Sequence, residues 1–184
     1  MKYRHFITSS NLLVVSGKNA SQNESIVKKA YNGDRILHTE ARGSPFCIVC
    51  AKKGKVDAQS IKEAAIFCAS FSKAWKQGKK SVEVHVFRPE DTYKRKGMPT
   101  GTYGVKKTRE KIKVRPALAI GFKGRWLQCS PPSALNRIYV ELGQGKMEKE
   151  KAAERIAKIL VKLKIKATKE KIMQLIPAGG FSIK

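Results

Sequence analysis

Long hydrophobic runs are absent from this sequence. No apolar stretch approaches the ~18 residues that a membrane-spanning helix needs. The first residues, Met1 to Phe6, lack the apolar core of a signal peptide and pass directly into an alternating pattern. We therefore expect a cytoplasmic protein that has no membrane partner.

Cysteine is also scarce, and the motifs of metal and nucleotide sites are incomplete. Four cysteines do not suggest a disulfide scaffold in a cytosolic chain of this length. Cys47 and Cys50 have zinc-like spacing, but a strand would point them to opposite faces and no second such pair exists. In residues 101–108, Val105 stands directly after the second glycine, where a phosphate-binding loop has its lysine. Gly143-Gln144-Gly145 indicates a plain turn. We expect no metal and no cofactor.

Acidic residues are few. Asp and Glu number 14 against 39 Lys and Arg, which gives the 184-residue chain a formal net charge of +25. This excess of cations is far larger than solubility requires, and it points to a polyanionic partner, nucleic acid before membrane.

The hydrophobic pattern predicts an α+β fold: a mixed, mainly antiparallel sheet with packed helices and a helical C-terminal segment. Predicted strands cover residues 3–8, 12–16, 35–39, 46–51, 81–88, 113–122, 125–129 and 138–142. Predicted helices cover residues 22–31, 58–77, 147–163 and 168–176. Ser21 and Glu24 have the spacing of a capping box for the first helix. Residues 89–108 are expected to form a long loop.

The strongest physical signal for function lies between Tyr93 and Arg125. This stretch is dense in Lys and Arg, and aromatic residues are interleaved with them. Cations can follow a phosphate backbone while aromatic faces stack unpaired bases, so the stretch predicts RNA binding. The alternative is a solvated basic hairpin without a ligand.

Asp34 and His38 form a second candidate pair, close to the glycine turn at residues 43–45. An Asp and a His near such a turn are able to perform acid–base chemistry or to bond a ribose or phosphate. They are equally typical of a polar network that pins the end of a strand. No catalytic residue is assigned, and the alternative function is an RNA-processing or RNA-modification enzyme that uses Asp34 and His38.

Four groups of residues, in this order along the chain, resemble the NFACT-R (DUF814) family. They are Ser16-Gly17-Lys18-Asn19-Ala20 with Asn23-Glu24; Asp34-x-x-x-His38 with Gly43-Ser44-Pro45; Ser70 to Lys76; and Val86-Phe87 followed by Lys94 to Gly97 and Thr100 to Tyr103. The resemblance covers about residues 3–122. It divides the chain into an NFACT-R-like RNA-binding domain, residues 1–124, and a basic, mainly helical extension, residues 125–184, for which no counterpart is found.

The resemblance implies a function in translation. Large factors of this family bind the large ribosomal subunit that carries an obstructed nascent chain, and they recruit tRNA for template-free tail addition. This chain is similar to the small stand-alone form that is expected in archaea. The resemblance therefore implies binding of tRNA or large-subunit ribosomal RNA, with the ribosome or another quality-control protein as a further partner.

The predicted RNA-binding residues combine the basic stretch with these motifs. Phosphate contacts are expected from Lys18, Lys73, Lys94, Arg95, Lys96, Lys106 and Lys107. A polar pocket is expected from Asn19, Asn23, Asp34, His38 and Ser44. Tyr103 is expected to stack on a base, whereas Trp75 falls on the core stripe of its helix.

Overall fold

The computed structural model describes residues 3–41, 43–51 and 54–184, and it confirms the predicted α+β fold. The strands are β1 (Arg4–Ile7), β2 (Leu13–Ser16), β3 (Arg35–Thr39), β4 (Cys47–Val49), β5 (Val82–Phe87), β6 (Thr92–Tyr93), β7 (Gly104–Val105), β8 (Glu110–Val114), β9 (Leu118–Lys123), β10 (Trp126–Ser130), β11 (Arg137–Met147) and β12 (Phe181–Ile183). The helices are α1 (Ala20–Lys28), α2 (Ala58–Ser70), α3 (Lys73–Lys76), α4 (Lys149–Lys162) and α5 (Lys169–Leu175).

The first sheet has six antiparallel strands in the order β1-β2-β4-β3-β5-β8. Alternate residues of its strands point to opposite faces, and helices cover both. Leu37 and Val86 belong to the core under α2, whereas Ile36 and Phe87 belong to a smaller core that includes Ile26 of α1. Because α1 and α2 lie on opposite faces, the loops that enter them emerge on opposite sides of the sheet.

The second sheet has four antiparallel strands in the order β10-β9-β11-β12. It packs against α4 and α5, and its buried residues join those under α2 in one continuous core. Trp75 of α3 packs against Phe181 of β12 with ring centroids 5.6 Å apart, and its indole N–H donates to the Gly180 carbonyl over 3.1 Å. The C-terminal strand is thus packed on α3.

A polar contact also joins the two sheets at β1. The Gln128 side chain of β10 accepts the Ile7 amide over 3.0 Å and donates to the Ile7 carbonyl over 3.2 Å. β1 is an edge strand of the first sheet, so one side of its backbone has no neighbouring strand to bond. Gln128 provides hydrogen-bond partners for two of these backbone groups. The boundary predicted at residue 124 falls in the turn between β9 and β10, and the division into two domains stays a prediction.

Two predicted helices differ from the observed ones. The helix predicted over residues 58–77 ends at Ser70, because the Ser72 hydroxyl donates to the Ala69 carbonyl and accepts the Ala74 amide, which starts α3. The first helix begins at Ala20 and is capped by the Asn19 side chain, which accepts the Gln22 amide over 2.9 Å. The capping box predicted from Ser21 and Glu24 is therefore wrong.

The strands differ most from prediction after residue 108. The single strand predicted over residues 113–122 is divided between the two sheets, because Pro116 has no amide hydrogen to donate. The strand predicted over residues 138–142 extends from Arg137 to Met147 and includes the glycines predicted to form a turn. A side chain at Gly145 would overlap the Phe181 carbonyl oxygen, so glycine permits the close approach of β12.

The long loop predicted over residues 89–108 contains the β6–β7 hairpin. Asp91 is buried before β6 and accepts two hydrogen bonds of 2.6 Å from the Arg109 guanidinium. This bidentate pair closes the base of the hairpin. In the part of the chain that the structure describes, no helix is both long and apolar enough to cross a membrane.

Candidate nucleic-acid interface

A groove of about 760 Å³ opens where the start of α1, the turn before β4 and the segment 99–105 meet. We call it the polar groove. The predicted site residues that line it are Lys18, Asn19, Asn23, His38, Ser44 and Tyr103. None of the described residues that line it is acidic. The fold therefore brings together six of the predicted residues from four separate stretches of the sequence.

The amino-terminal end of α1 forms one wall of the polar groove. The Asn19 side-chain oxygen is occupied by the Gln22 amide, and the Asn23 side-chain oxygen accepts the Phe46 amide over 3.2 Å. In both residues the oxygen is therefore turned toward the backbone, which leaves the amide NH₂ group as the part able to reach a ligand. These donors add to the partial positive charge of the helix terminus.

His38 and Ser44 form the opposite wall. The His38 Nε2 atom lies 3.1 Å from the Ser44 carbonyl oxygen, so Nε2 carries the hydrogen in this contact. The ring packs on Phe46 with centroids 4.6 Å apart. Burial lowers the pKa of His38, so its imidazole is neutral near pH 7 and brings no charge to the groove.

Asp34 does not line the polar groove. Its two carboxylate oxygens accept the Tyr31 amide over 2.9 Å and the Ala51 amide over 2.7 Å, and its side chain is buried. It precedes β3, whereas His38 lies near the end of that strand, about 13 Å away at ~3.3 Å per residue. The proposed acid–base pair of Asp34 and His38 is therefore not assembled, and Asp34 pins backbone at the beginning of the strand.

Lys94, predicted to contact phosphate, is used inside the protein. Its ammonium donates to the Glu24 carboxylate over 2.9 Å, to the Pro99 carbonyl over 2.7 Å and to the Thr102 carbonyl over 3.1 Å. The same carboxylate accepts the Gly101 amide over 2.8 Å. Glu24 therefore fixes the segment 99–103 against α1, which forms the third wall of the groove.

Glycine is needed at this anchor. A Cβ atom at Gly101 would lie 2.6 Å from the Ala20 carbonyl oxygen, and the φ angle of +75° disfavours other residues. Tyr103 follows on the same wall, where its hydroxyl donates to the Glu24 carbonyl over 3.3 Å. The Tyr103 ring is half-buried, with its face toward the Lys94 ammonium 5.3 Å away.

The other predicted cations flank the polar groove. Arg95, Lys96, Lys106 and Lys107 are exposed on and beside the β6–β7 hairpin. The Arg95 guanidinium lies over the Tyr93 ring, 4.9 Å from its centroid. Lys73 is exposed beside Gly43, where a Cβ atom would lie 3.1 Å from its ammonium. These five side chains do not line the groove but surround it with positive charge.

Sequence reasoning missed Arg4. This residue lines the polar groove, and its guanidinium donates to the Gly17 carbonyl over 2.8 Å. The antiparallel pairing of β1 with β2 places Arg4 opposite Ser16, at the beginning of the motif that carries the family resemblance. Only the strand register reveals this proximity, since the β1 sequence has no motif of its own.

The Glu24 anchor leads to a first prediction. We expect Glu24→Gln to speed amide exchange at Gly101 and its neighbours, because the amide loses a charged acceptor and Lys94 loses its counter-ion. Hydrogen–deuterium exchange measures this. Glu150→Gln is the matched control, since it removes only the exposed partner of Lys169. Unchanged exchange at Gly101 in Glu24→Gln would contradict the anchor.

The same anchor is sensitive to acid. The Gly101 amide, the Lys94 ammonium and the Lys28 ammonium lower the pKa of the Glu24 carboxyl to about 2. A carboxyl whose pKa is lowered by folding stabilises the folded state fully above its ordinary value of 4.5, and this contribution is lost as the pH falls toward 2. In the unsubstituted protein, protonation of Glu24 should therefore not alter the protection of the Gly101 amide from exchange above pH 4.5.

Comparisons with known proteins bear on this interface. A family model described as the NFACT protein RNA binding domain matches residues 2–107, more than half of the chain. The match includes all the predicted site residues. It ends before β8, so the second sheet lies outside it.

Two curated relatives are named as an archaeal Rqc2 homolog and as a ribosome quality control complex subunit. The chain is 27% identical to an archaeal Rqc2 homolog from Methanocaldococcus jannaschii over 95% of its own length. It is 28% identical to the ribosome quality control complex subunit 2 of Saccharomyces cerevisiae over 68% of its length. The chain spans 28% of the archaeal protein and 12% of the yeast protein. The archaeal alignment must include most of residues 125–184, so the C-terminal segment does have a counterpart.

A solved structure shows a similar fold. The C-terminal part of the fibronectin/fibrinogen-binding protein from Streptococcus suis superposes with a TM-score of 0.57 at 20% sequence identity. The superposition covers 63% of this chain and 46% of that one. At this identity the likeness concerns the fold alone.

Proposed function

Because the chain belongs to the family of NFACT protein RNA-binding domains, we propose that it binds structured RNA in ribosome-associated quality control. The RNA is tRNA or large-subunit ribosomal RNA. The observation that carries the proposal is the polar groove, which has hydrogen-bond donors on its walls, no acidic residue among its described lining and exposed cations around it. Such a surface is complementary to a ribose-phosphate backbone.

The walls of the groove favour recognition of the backbone. The amide groups of Asn19 and Asn23 act as donors to phosphate or 2′-hydroxyl oxygens, since their own oxygens are engaged. The neutral His38 ring adds an uncharged surface to the lining. The described lining of the groove comes from a helix end, strands, turns and an extended segment, so the RNA is recognised by its shape and its 2′-hydroxyls.

The cations around the groove supply most of the affinity. Lys73, Arg95, Lys96, Lys106 and Lys107 are exposed, and they lie on both sides of the opening. Lys18 lines the groove itself. Lys94 contributes indirectly, because it holds the segment that carries Tyr103. This division separates residues that contact RNA from those that shape the site.

The names of the relatives support a partner as well as a ligand. The yeast relative is named as a ribosome quality control complex subunit, and the archaeal relative as an Rqc2 homolog. We therefore place this chain at the ribosome, in the cytoplasm, with another quality-control protein as a further partner. Co-sedimentation with large subunits tests this assignment separately from RNA binding.

Fluorescence anisotropy with labelled nucleic acids tests the proposal. We expect a tRNA or a large-subunit ribosomal RNA fragment to bind, and a DNA of the same sequence to bind about tenfold more weakly because it lacks 2′-hydroxyls. Asn23→Asp keeps the oxygen that accepts the Phe46 amide but places a negative charge in the groove. It should weaken RNA binding by about tenfold.

The matched control is Asn32→Asp, which adds the same charge at an exposed turn outside the groove. It should leave the affinity close to that of the unsubstituted protein. An equal loss in both variants would show that only the net charge matters, and the polar groove would then not be the RNA site.

A further inference from the structure

A second groove, of about 660 Å³, lies where the first sheet meets the C-terminal segment. We call it the junction groove. One part of its wall is aromatic, formed by Phe67, Phe71 and Phe122 together with Trp126. Another part is basic, and the cations that line it are Arg4, Lys18, Arg125, Lys164, Lys166 and Lys171. None of its described lining residues is acidic.

Trp126 is unusual in this wall because it is exposed. It lies at the beginning of β10, and 57% of its surface is accessible to solvent. The Arg125 guanidinium covers part of its ring at 5.2 Å from the centroid. A flat indole beside a guanidinium is the arrangement that stacks an unpaired base and holds the adjoining phosphate.

Arg4 stands between the two grooves. It lines both of them, as do Lys18 and Phe71, so the two grooves are adjacent. The Arg4 guanidinium lies 5.1 Å from the centre of the Phe71 ring and is half-buried. All the ion pairs among the described residues involve other cations, so none of those carboxylates pairs with Arg4.

A second cation adds to this uncompensated charge. Lys149, at the start of α4, is half-buried, and its pKa is lowered first by burial and then by the positive charge of Arg4. Two half-buried cations that repel each other are stabilised by an anion between or beside them. Arg4, which lines both grooves, therefore offers a positive charge that a phosphate can compensate, whereas Lys149 lies behind the lining of both.

We infer that the junction groove binds an unpaired segment of the RNA whose folded part occupies the polar groove, with a base stacked on Trp126 and a backbone phosphate beside Arg4. This inference rests on the proposed function and extends it to the C-terminal segment. The occupant is a single strand because the groove is lined by aromatic faces, which a base inside a duplex cannot reach. The basic lining selects a polyanion over an apolar peptide.

The test compares two RNA hairpins, one blunt and one with a single-stranded extension of uridines. The extension should tighten binding to the unsubstituted protein about tenfold. Trp126→Ala should cancel this gain and leave the affinity for the blunt hairpin unchanged. Tyr31→Ala is the matched control, since it removes an aromatic residue that is 78% exposed and lines neither groove.

Fluorescence provides an independent readout. The chain has two tryptophans, and Trp75 is buried. Single-stranded RNA should quench the emission of the unsubstituted protein, and Trp126→Phe should abolish the quenching while it retains most of the binding. Equal quenching by poly-glutamate would assign the groove to acidic polymers in general and overturn the inference.

The outcomes separate the two proposals. If neither hairpin binds, the proposed function fails. If both hairpins bind equally tightly and the extension leaves the emission unchanged, RNA binding stands and only the assignment of the junction groove is overturned.

Discussion

Raising the salt concentration from 50 to 200 mM is expected to weaken RNA binding by about a thousandfold. Neutralising about six phosphates releases their counter-ions, which gives a slope of log affinity against log salt near −5. A fourfold change in salt then changes the affinity by ~10³. Anisotropy titrations at several salt concentrations measure the slope directly.

The structure identifies the cations that should contribute to this slope. Lys94 and Lys28 are paired with Glu24, Arg109 with Asp91, and Lys111 with Glu83. The other predicted phosphate contacts are Lys18, which lines the polar groove, and the exposed side chains Lys73, Arg95, Lys96, Lys106 and Lys107. Six predicted phosphate contacts therefore remain when Lys94 is left out, in agreement with the number of phosphates used for the slope.

A double variant tests this partition. Lys106→Ala with Lys107→Ala should make the slope shallower by about two, since each phosphate contact contributes nearly one. Lys158→Ala is the control, because this exposed lysine pairs with Glu154 on α4 and lines neither groove. A slope near zero in the unsubstituted protein would rule out an electrostatic footprint.

Much of the first sheet was predictable from the sequence, because period-two alternation marks strands such as β5. Val82, Val84 and Val86 face the core under α2, and Glu83 and His85 lie on the other face. The second sheet was harder to predict. Two glycines in β11 look like a turn in sequence, and only the close approach of β12 explains them.

The site was predictable where local motifs carry it. Asn19 and Asn23 lie one helical turn apart, and His38 and Ser44 flank a glycine turn, so short-range patterns mark them. The sequence predicts a phosphate contact for Lys94 because it shows the charge of this residue. It does not show the partner of Lys94, Glu24, which lies 70 residues earlier. Charge patterns alone do not distinguish a cation that binds a ligand from one that holds a loop.

Phe181→Ala is expected to lower the free energy of unfolding by about 3–5 kcal/mol, a large fraction of the stability of a typical domain. Phe181 is 1% exposed and packs against Trp75, in the core that both sheets share. Urea denaturation followed by circular dichroism measures the loss. Phe181→Leu is the control and should cost about 1 kcal/mol, because it retains most of the apolar volume.

The shape of the unfolding curve decides how the C-terminal segment relates to the rest of the chain. The contact of Trp75 with Phe181 joins α3 to the second sheet, and the contact of Gln128 with Ile7 joins the second sheet to the first. Elements that share one core unfold together, so Phe181→Ala should shift a single transition. Two transitions, of which only one moves, would contradict a shared core and would support an independent unit after residue 124. In that case the junction groove would open whenever the C-terminal unit unfolds, because its basic wall draws on both parts of the chain.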